Sequence, residues 1–314
     1  MQRFFPTPLP LLLTSLLLSL ATPGFAKTPA SAASGAQASL KQTSVKHASV
    51  CTDDSGWDDP ATPRKIFGNT WYVGTCGITA LLITSPDGHV LIDGGTEVGG
   101  KLIEANIRAL GFSLRDVHHI LISHDHHDHV GGVAHLQRVT GARVYALPPS
   151  DAVLRTGKHT RQDPQFLEAK PMSPVANVHA LKDGQVLQAG LLKLTVHATP
   201  GHTPGGSSWT WQSCEGKVCR QFAYLDSLTA ISDDVFRYSD DQAHPAYLAT
   251  FKQSLKKIAE LPCDVLITPH PKSSGLWERF GPTASKPLTD PQGCRNYAEN
   301  GMAGLEKRLA KESK

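Results

Sequence analysis

The sequence lacks any large excess of charge of one sign. Its 314 residues carry 31 Lys and Arg against 28 Asp and Glu, a formal net charge of +3. That leaves no surplus of positive charge to neutralise a phosphate backbone, so nucleic acid is not an expected partner. Long apolar runs are equally scarce. The main one, Leu9 to Leu20, follows Arg3 and precedes Pro23-Gly24-Phe25-Ala26, and it falls well short of the roughly 20 residues of a spanning helix. Together these regions read as a secretory signal peptide over residues 1–26, cleaved after Ala26. No later segment is apolar enough to cross a bilayer, so the expected mature chain is periplasmic and free of the membrane. No internal repeat, heptad or long exposed apolar strand compels assembly, and a monomer is expected.

Cysteine is sparse, with six in the chain, and an oxidising destination favours disulfides over thiols or thiolate ligands. Many pairings of six cysteines are formally open. Cys214 and Cys219 flank Glu215-Gly216-Lys217-Val218, a spacing that a local bridge closes. Cys51 and Cys76 bracket an N-terminal segment and Cys263 and Cys294 a C-terminal one, so a local pattern leaves no odd thiol.

Residues 27–50 are rich in Ala, Ser, Gln, Thr and Lys without apolar periodicity and read as a flexible leader. From Cys51 the body, residues 51–314, alternates short apolar runs with helical patterns, which argues for a mixed α/β architecture. Leu81 to Thr84 and Val90 to Asp93 flank Ser85-Pro86-Asp87-Gly88, a hairpin signal with Gly where positive φ is needed. Leu102, Ile103, Ile107 and Leu110 recur at helical spacing over Lys101 to Leu110, and Gly111 follows as a stop. Ile120-Leu121-Ile122 reads as a buried strand, and Leu248, Phe251, Leu255 and Ile258 mark a further helix. A strand over residues 264–267 and a last helix over about 295–311 complete the pattern.

Histidine, at fifteen, is what the sequence has in quantity. After Ile122 comes Ser123-His124-Asp125-His126-His127-Asp128-His129-Val130-Gly131-Gly132, a dense set of ligand-type side chains at a strand end. On an extended backbone His124, His126 and Asp128 share one side, and His129 can swing in as a helix begins. These are donors that zinc accepts. His202, in Thr199-Pro200-Gly201-His202-Thr203-Pro204-Gly205, and His270, in Thr268-Pro269-His270-Pro271, stand at the ends of apolar runs. One tetrahedral ion cannot use them all, so two metals are expected. His127 is out of phase with its neighbours, and His118, His119 and His197 lie in or beside strands, so none of these four is assigned a catalytic role.

The order His-x-His-x-Asp-His, Gly-His-Thr-Pro-Gly and Thr-Pro-His resembles the metallo-β-lactamase superfamily, and more narrowly its subclass B3, over nearly the whole body. The resemblance implies an αββα sandwich. It implies one zinc on His124, His126 and His202 and a second on Asp128, His129 and His270. It also implies a zinc-bound hydroxide as nucleophile, oriented by Asp128, that opens the β-lactam ring of penicillins, cephalosporins or carbapenems. Ser227, where another subclass has a cysteine ligand, and Thr229 would receive the substrate carboxylate. Asp93 would be a buried carboxylate bracing the ligand loop, and the three local cysteine pairs look like those of some subclass members. Residues 154–170 would form either a loop over the groove or a plain connection. The same fold also serves thioesterases, lactonases and nucleases, so fold alone does not choose the substrate.

Overall fold

The computed structural model describes residues 50–314. The expected signal peptide over 1–26 and, apart from Val50, the expected leader over 27–50 lie outside the described residues. Two sheets account for the strands among the described residues. The first runs in the order β1 (Arg64–Phe67), β2 (Thr70–Tyr72), β3 (Leu81–Ile83), β4 (His89–Ile92), β5 (Val117–Leu121), β6 (Arg143–Ala146) and β7 (Val178–Ala180). The second contains β8 (Val186–Ala189), β9 (Leu192–Ala198), β10 (Ser207–Glu215), β11 (Val218–Tyr224) and β12 (Val265–Ile267), again with chain neighbours side by side. Pairing is antiparallel from β1 to β4 and parallel from β4 to β7. In the second sheet only the β11–β12 pair is parallel.

The continuous apolar runs of the sequence are explained by sheets buried on both faces. Successive side chains alternate across a strand, and here each face meets a different core. Leu81, Ile83, Val90 and Ile92 enter the core between the sheets with Phe222, Tyr224, Val265 and Ile267. Leu82 and Leu91 face the other way, toward Ile103 and Ile107 of the helix Glu97–Ala109 and Val133 and Leu136 of the helix Val133–Thr140. Ala223 and Leu266 face Phe251, Leu255 and Ile258 of the helix Tyr247–Ala259 and Tyr297 and Leu305 of the helix Gly293–Glu312. The layers are therefore helix, sheet, sheet, helix, the αββα sandwich of the metallo-β-lactamase fold. Each large aliphatic side chain moved out of water contributes about 1.5–3 kcal/mol, which fixes the strand registers strongly.

The β3–β4 hairpin turns through Gly88 at φ +123° as expected. The helix read as starting near Lys101 begins earlier, at Glu97, with Thr96 Oγ1 accepting a hydrogen bond from Gly99 N at 2.9 Å. Gly99-Gly100 looks like a helix breaker, but a Cβ at Gly100 would come within 2.7 Å of the Gly132 Cα. The glycine is there to admit a neighbouring backbone. All three local disulfides form, Cys51–Cys76, Cys214–Cys219 and Cys263–Cys294, the second between facing residues of β10 and β11.

Candidate metal centre

The ligand segment leaves β5 at Leu121 and is clamped before the first histidine. Asp93, at φ +63° just after β4, accepts hydrogen bonds from Ser123 N and Ser123 Oγ, each at 2.7 Å, and from Tyr224 Oη at 2.6 Å. From the second sheet, Ser207 Oγ and Trp209 Nε1 each donate to the Ile122 carbonyl at 2.8 Å. His124 and His126 then follow, His126 on extended backbone, while Asp128 and His129 sit in the one-turn helix His127–Val130. Asp128 thus reaches the site from a helical turn, where the sequence pattern placed it on the extended stretch. His202 comes from the loop after β9 and His270 from the loop after β12.

Three imidazoles converge. The ring centroids of His124, His126 and His202 lie 4.9 Å apart in all three pairings. Each ring has one nitrogen engaged elsewhere. His124 Nδ1 donates to Asp226 Oδ1 at 2.8 Å, His126 Nε2 to Asp163 Oδ2 at 3.1 Å, and His202 Nδ1 to the Thr229 carbonyl at 3.0 Å. Such partners fix tautomer and ring direction, as they do for metal-binding histidines. His124 Nε2, the nitrogen left over, is buried without a hydrogen-bond partner.

Beside this set lie Asp128, His129 and His270. Asp128 Oδ2 is 3.1 Å from His129 Nε2 and 3.4 Å from His270 Nε2, and the two Nε2 atoms are 3.2 Å apart. A tetrahedron of bonds of about 2.0–2.1 Å has edges of roughly 3.3 Å, so this triangle matches one face around an ion. Two imidazole nitrogens that close, both facing one carboxylate oxygen, suit a shared cation better than a direct contact. Both donor sets fit a metal ion by this chemistry, and their nearest rings, His124 and His129, have centroids 4.3 Å apart.

Electrostatics prepare the donors. Burial, with His126 close by, pushes the His202 imidazole down to about 3. Burial, with His129 close by, takes His270 to about 4. Both are therefore neutral, with a lone pair available, at ordinary pH. Burial acts against ionisation of Asp128, but His129 and His270 outweigh it and hold the carboxyl well below its usual range. Burial pushes His126 down, and Asp163 more than offsets it, so that ring stays above the ordinary value.

The donors open into a cavity of about 340 Å³ lined by Trp57, Gln165, Lys170, Ser227, Thr229 and Ile231, among others. Ser227 and Thr229 both stand on its wall, and Thr229 Oγ1 also lies 2.9 Å from His202 Nδ1. His127 lines the same cavity and packs against Trp57. His119 lies by Tyr145, and His197 Nε2 contacts Thr210 Oγ1 at 2.8 Å. The stretch 154–170 begins with the end of the helix Pro148–Thr156 and continues as a loop in which His159, Gln165 and Lys170 line the groove, with Asp163 buried behind them against His126.

The chain superposes on MEM-A1, a subclass B3 metallo-β-lactamase from a soil metagenome library. The TM-score is 0.79 and the identity 46%, over 82% of this chain and 99% of that one. It belongs to the metallo-β-lactamase superfamily. Within that superfamily of metal-dependent hydrolases it falls with subclass B3, and it matches the family model described as "Metallo-beta-lactamase superfamily" over residues 73–215. A second structure, the metallo-β-lactamase MIM-1 from Novosphingobium pentaromativorans, is 48% identical with a TM-score of 0.77, over 82% of this chain and 93% of that one. Among curated proteins, a hydroxyacylglutathione hydrolase of Pseudomonas savastanoi pv. phaseolicola is 30% identical over 47% of this chain. The chain spans less than half of that relative's length, 45%.

Asp226, Asp163 and His159 stand beside the donor sets; the sequence placed His159 and Asp163 only within the 154–170 loop and gave none of the three a role of its own. Asp226 stands beside Ser227, and the one available signal was an acidic residue following a buried strand.

Proposed function

We propose that this protein is a zinc-dependent β-lactamase that hydrolyses the β-lactam amide of penicillins, cephalosporins and carbapenems. The observation that carries the reading is the pair of adjacent donor sets opening into one groove whose wall bears two hydroxyls. The similarity to subclass B3 metallo-β-lactamases along nearly their full length supports it. His124, His126 and His202 would hold one zinc, and Asp128, His129 and His270 the other. When bound, zinc supplies Lewis acidity toward a carbonyl oxygen and lowers the pKa of water.

The protein's own groups do the rest. Asp128, held ionised, orients a water and accepts its hydrogen bond, and the water gives up a proton to solvent as its oxygen adds to the lactam carbonyl carbon. The C–N bond then breaks, its electron pair stays on nitrogen, and nitrogen takes a proton from solvent. Ser227 and Thr229 hydroxyls donate to the substrate carboxylate, and Lys170 on the same wall adds a positive charge for that anion. Asp93 keeps the ligand segment in place through Ser123. The protein would act as a monomer in the periplasm, after removal of its signal peptide.

The test is hydrolysis of a carbapenem and a penicillin by the purified protein, followed by absorbance. Turnover abolished by a zinc chelator and restored by zinc is expected. A zinc-loaded, folded protein that leaves both rings intact would overturn the reading. A second reading, thioester hydrolysis, is favoured by the hydroxyacylglutathione hydrolases among the relatives, and it predicts turnover of an acylglutathione in the same assay series.

A further inference from the structure

Apart from the two donor sets, Asp125, His159 and Asp163 bring three ligand-type atoms together. Asp125 stands between two of the proposed zinc ligands in sequence, and His159 and Asp163 come from the loop that walls the groove. His159 Nδ1 is 3.1 Å from Asp163 Oδ2 and 3.7 Å from Asp125 Oδ2, and all three side chains are 3% exposed. Asp125 Oδ1 accepts from Ser150 Oγ at 2.8 Å, and Asp163 accepts from His126 Nε2 and from Gln165 N at 2.8 Å. Among the described residues neither carboxylate has a Lys or Arg partner within ion-pair distance. Two buried carboxylates without a fixed positive charge are costly to hold together.

The imidazole supplies an independent observation. Neither nitrogen of His159 makes a hydrogen bond, although both are buried and one lies close to two carboxylates. The ring is aligned on neither oxygen, and the three ligand-type atoms all lie within 4.8 Å of one another, a spacing that ligands around one ion can take up.

We propose that Asp125, His159 and Asp163 form a third divalent-cation site, additional to the two donor sets of the proposed zinc centre. Two carboxylates and one imidazole form a donor set of the kind zinc accepts. Its role is structural. The cation clips the groove-wall loop to the ligand segment, and because Asp163 also accepts from His126, it fixes that ring's orientation.

Two measurements on the purified protein test this. Zinc per chain is counted by elemental analysis after equilibration with excess zinc and removal of the free ion, and crystals are examined by anomalous scattering at the zinc edge. Three equivalents are expected, with an anomalous peak enclosed by Asp125, His159 and Asp163, and His159→Ala should lose that equivalent alone. Saturation at two equivalents without the third peak would overturn the third site and leave the two-zinc centre standing. A third equivalent that persists in H159A would mark adventitious binding and overturn it equally. Should H159A fold poorly, the anomalous map of the unaltered protein decides by itself.

Discussion

The two donor sets differ in how firmly they are held. In the first, all three imidazoles have a second partner, namely the Asp226 carboxylate, the Asp163 carboxylate and the Thr229 carbonyl. In the second, His129 Nδ1 lies 3.7 Å from Asp93 without a hydrogen bond, and the His270 side chain is 28% exposed. The first set is built before any ion arrives, whereas the second is completed by a side chain at the edge of the groove. Preorganised ligands lose less freedom on binding, so the first set should bind metal more tightly and the second should be the adjustable, substrate-facing half.

The hardest way to break this asymmetry is to remove a donor from the firm set. His202→Ala should weaken metal binding at that set by more than about 100-fold, because loss of an outer partner alone typically costs about 10–100-fold. His270→Ala should leave the first set's affinity within a few-fold of normal. Competition with a chromophoric chelator measures both, and equal losses at the first set would erase the distinction. Asp163→Asn comes next, with an expected loss of about 10–100-fold in affinity at the first set and little at the second. An unchanged affinity would mean that the His126 contact is incidental.

Protonation gives the smallest and most graded contrast. In the chelated protein His270 should titrate near 4 and His202 near 3, resolved by the ring-proton shifts in NMR. Both folded values lie below the unfolded value of about 6.5, so the unfolded chain takes up more protons across that window. Stability of the metal-free protein should therefore fall as pH drops from about 6.5 toward 3. Urea midpoints that stay flat over that range would count against these burial effects.

Much of the site was legible because its densest part is local in sequence. His124, His126, Asp128 and His129 fall within six residues, and their spacing alone announces a cluster at a strand end. His202 and His270 could be found by their glycine and proline surroundings and their place after apolar runs. The braces were not legible for a physical reason. Asp163 meets His126 from a loop 37 positions away, and Asp226 meets His124 across 102, so nothing in either local pattern marks them. An acidic residue in a polar loop looks solvated until the fold buries it. The sheets read well because continuous apolar runs admit few alternatives, whereas the start of the helix Glu97–Ala109 was hidden by two glycines whose purpose is contact with another segment.

Neither donor set belongs to one sheet. His124, His126, Asp128 and His129 follow β5 of the first sheet, while His202 and His270 follow β9 and β12 of the second, so on the proposed assignment each ion joins the two halves of the sandwich. A ligand bound only by the folded form adds about 4 kcal/mol when present at a thousand times its dissociation constant. On that assignment, metal supply would govern how long the protein survives proteases as well as whether it works.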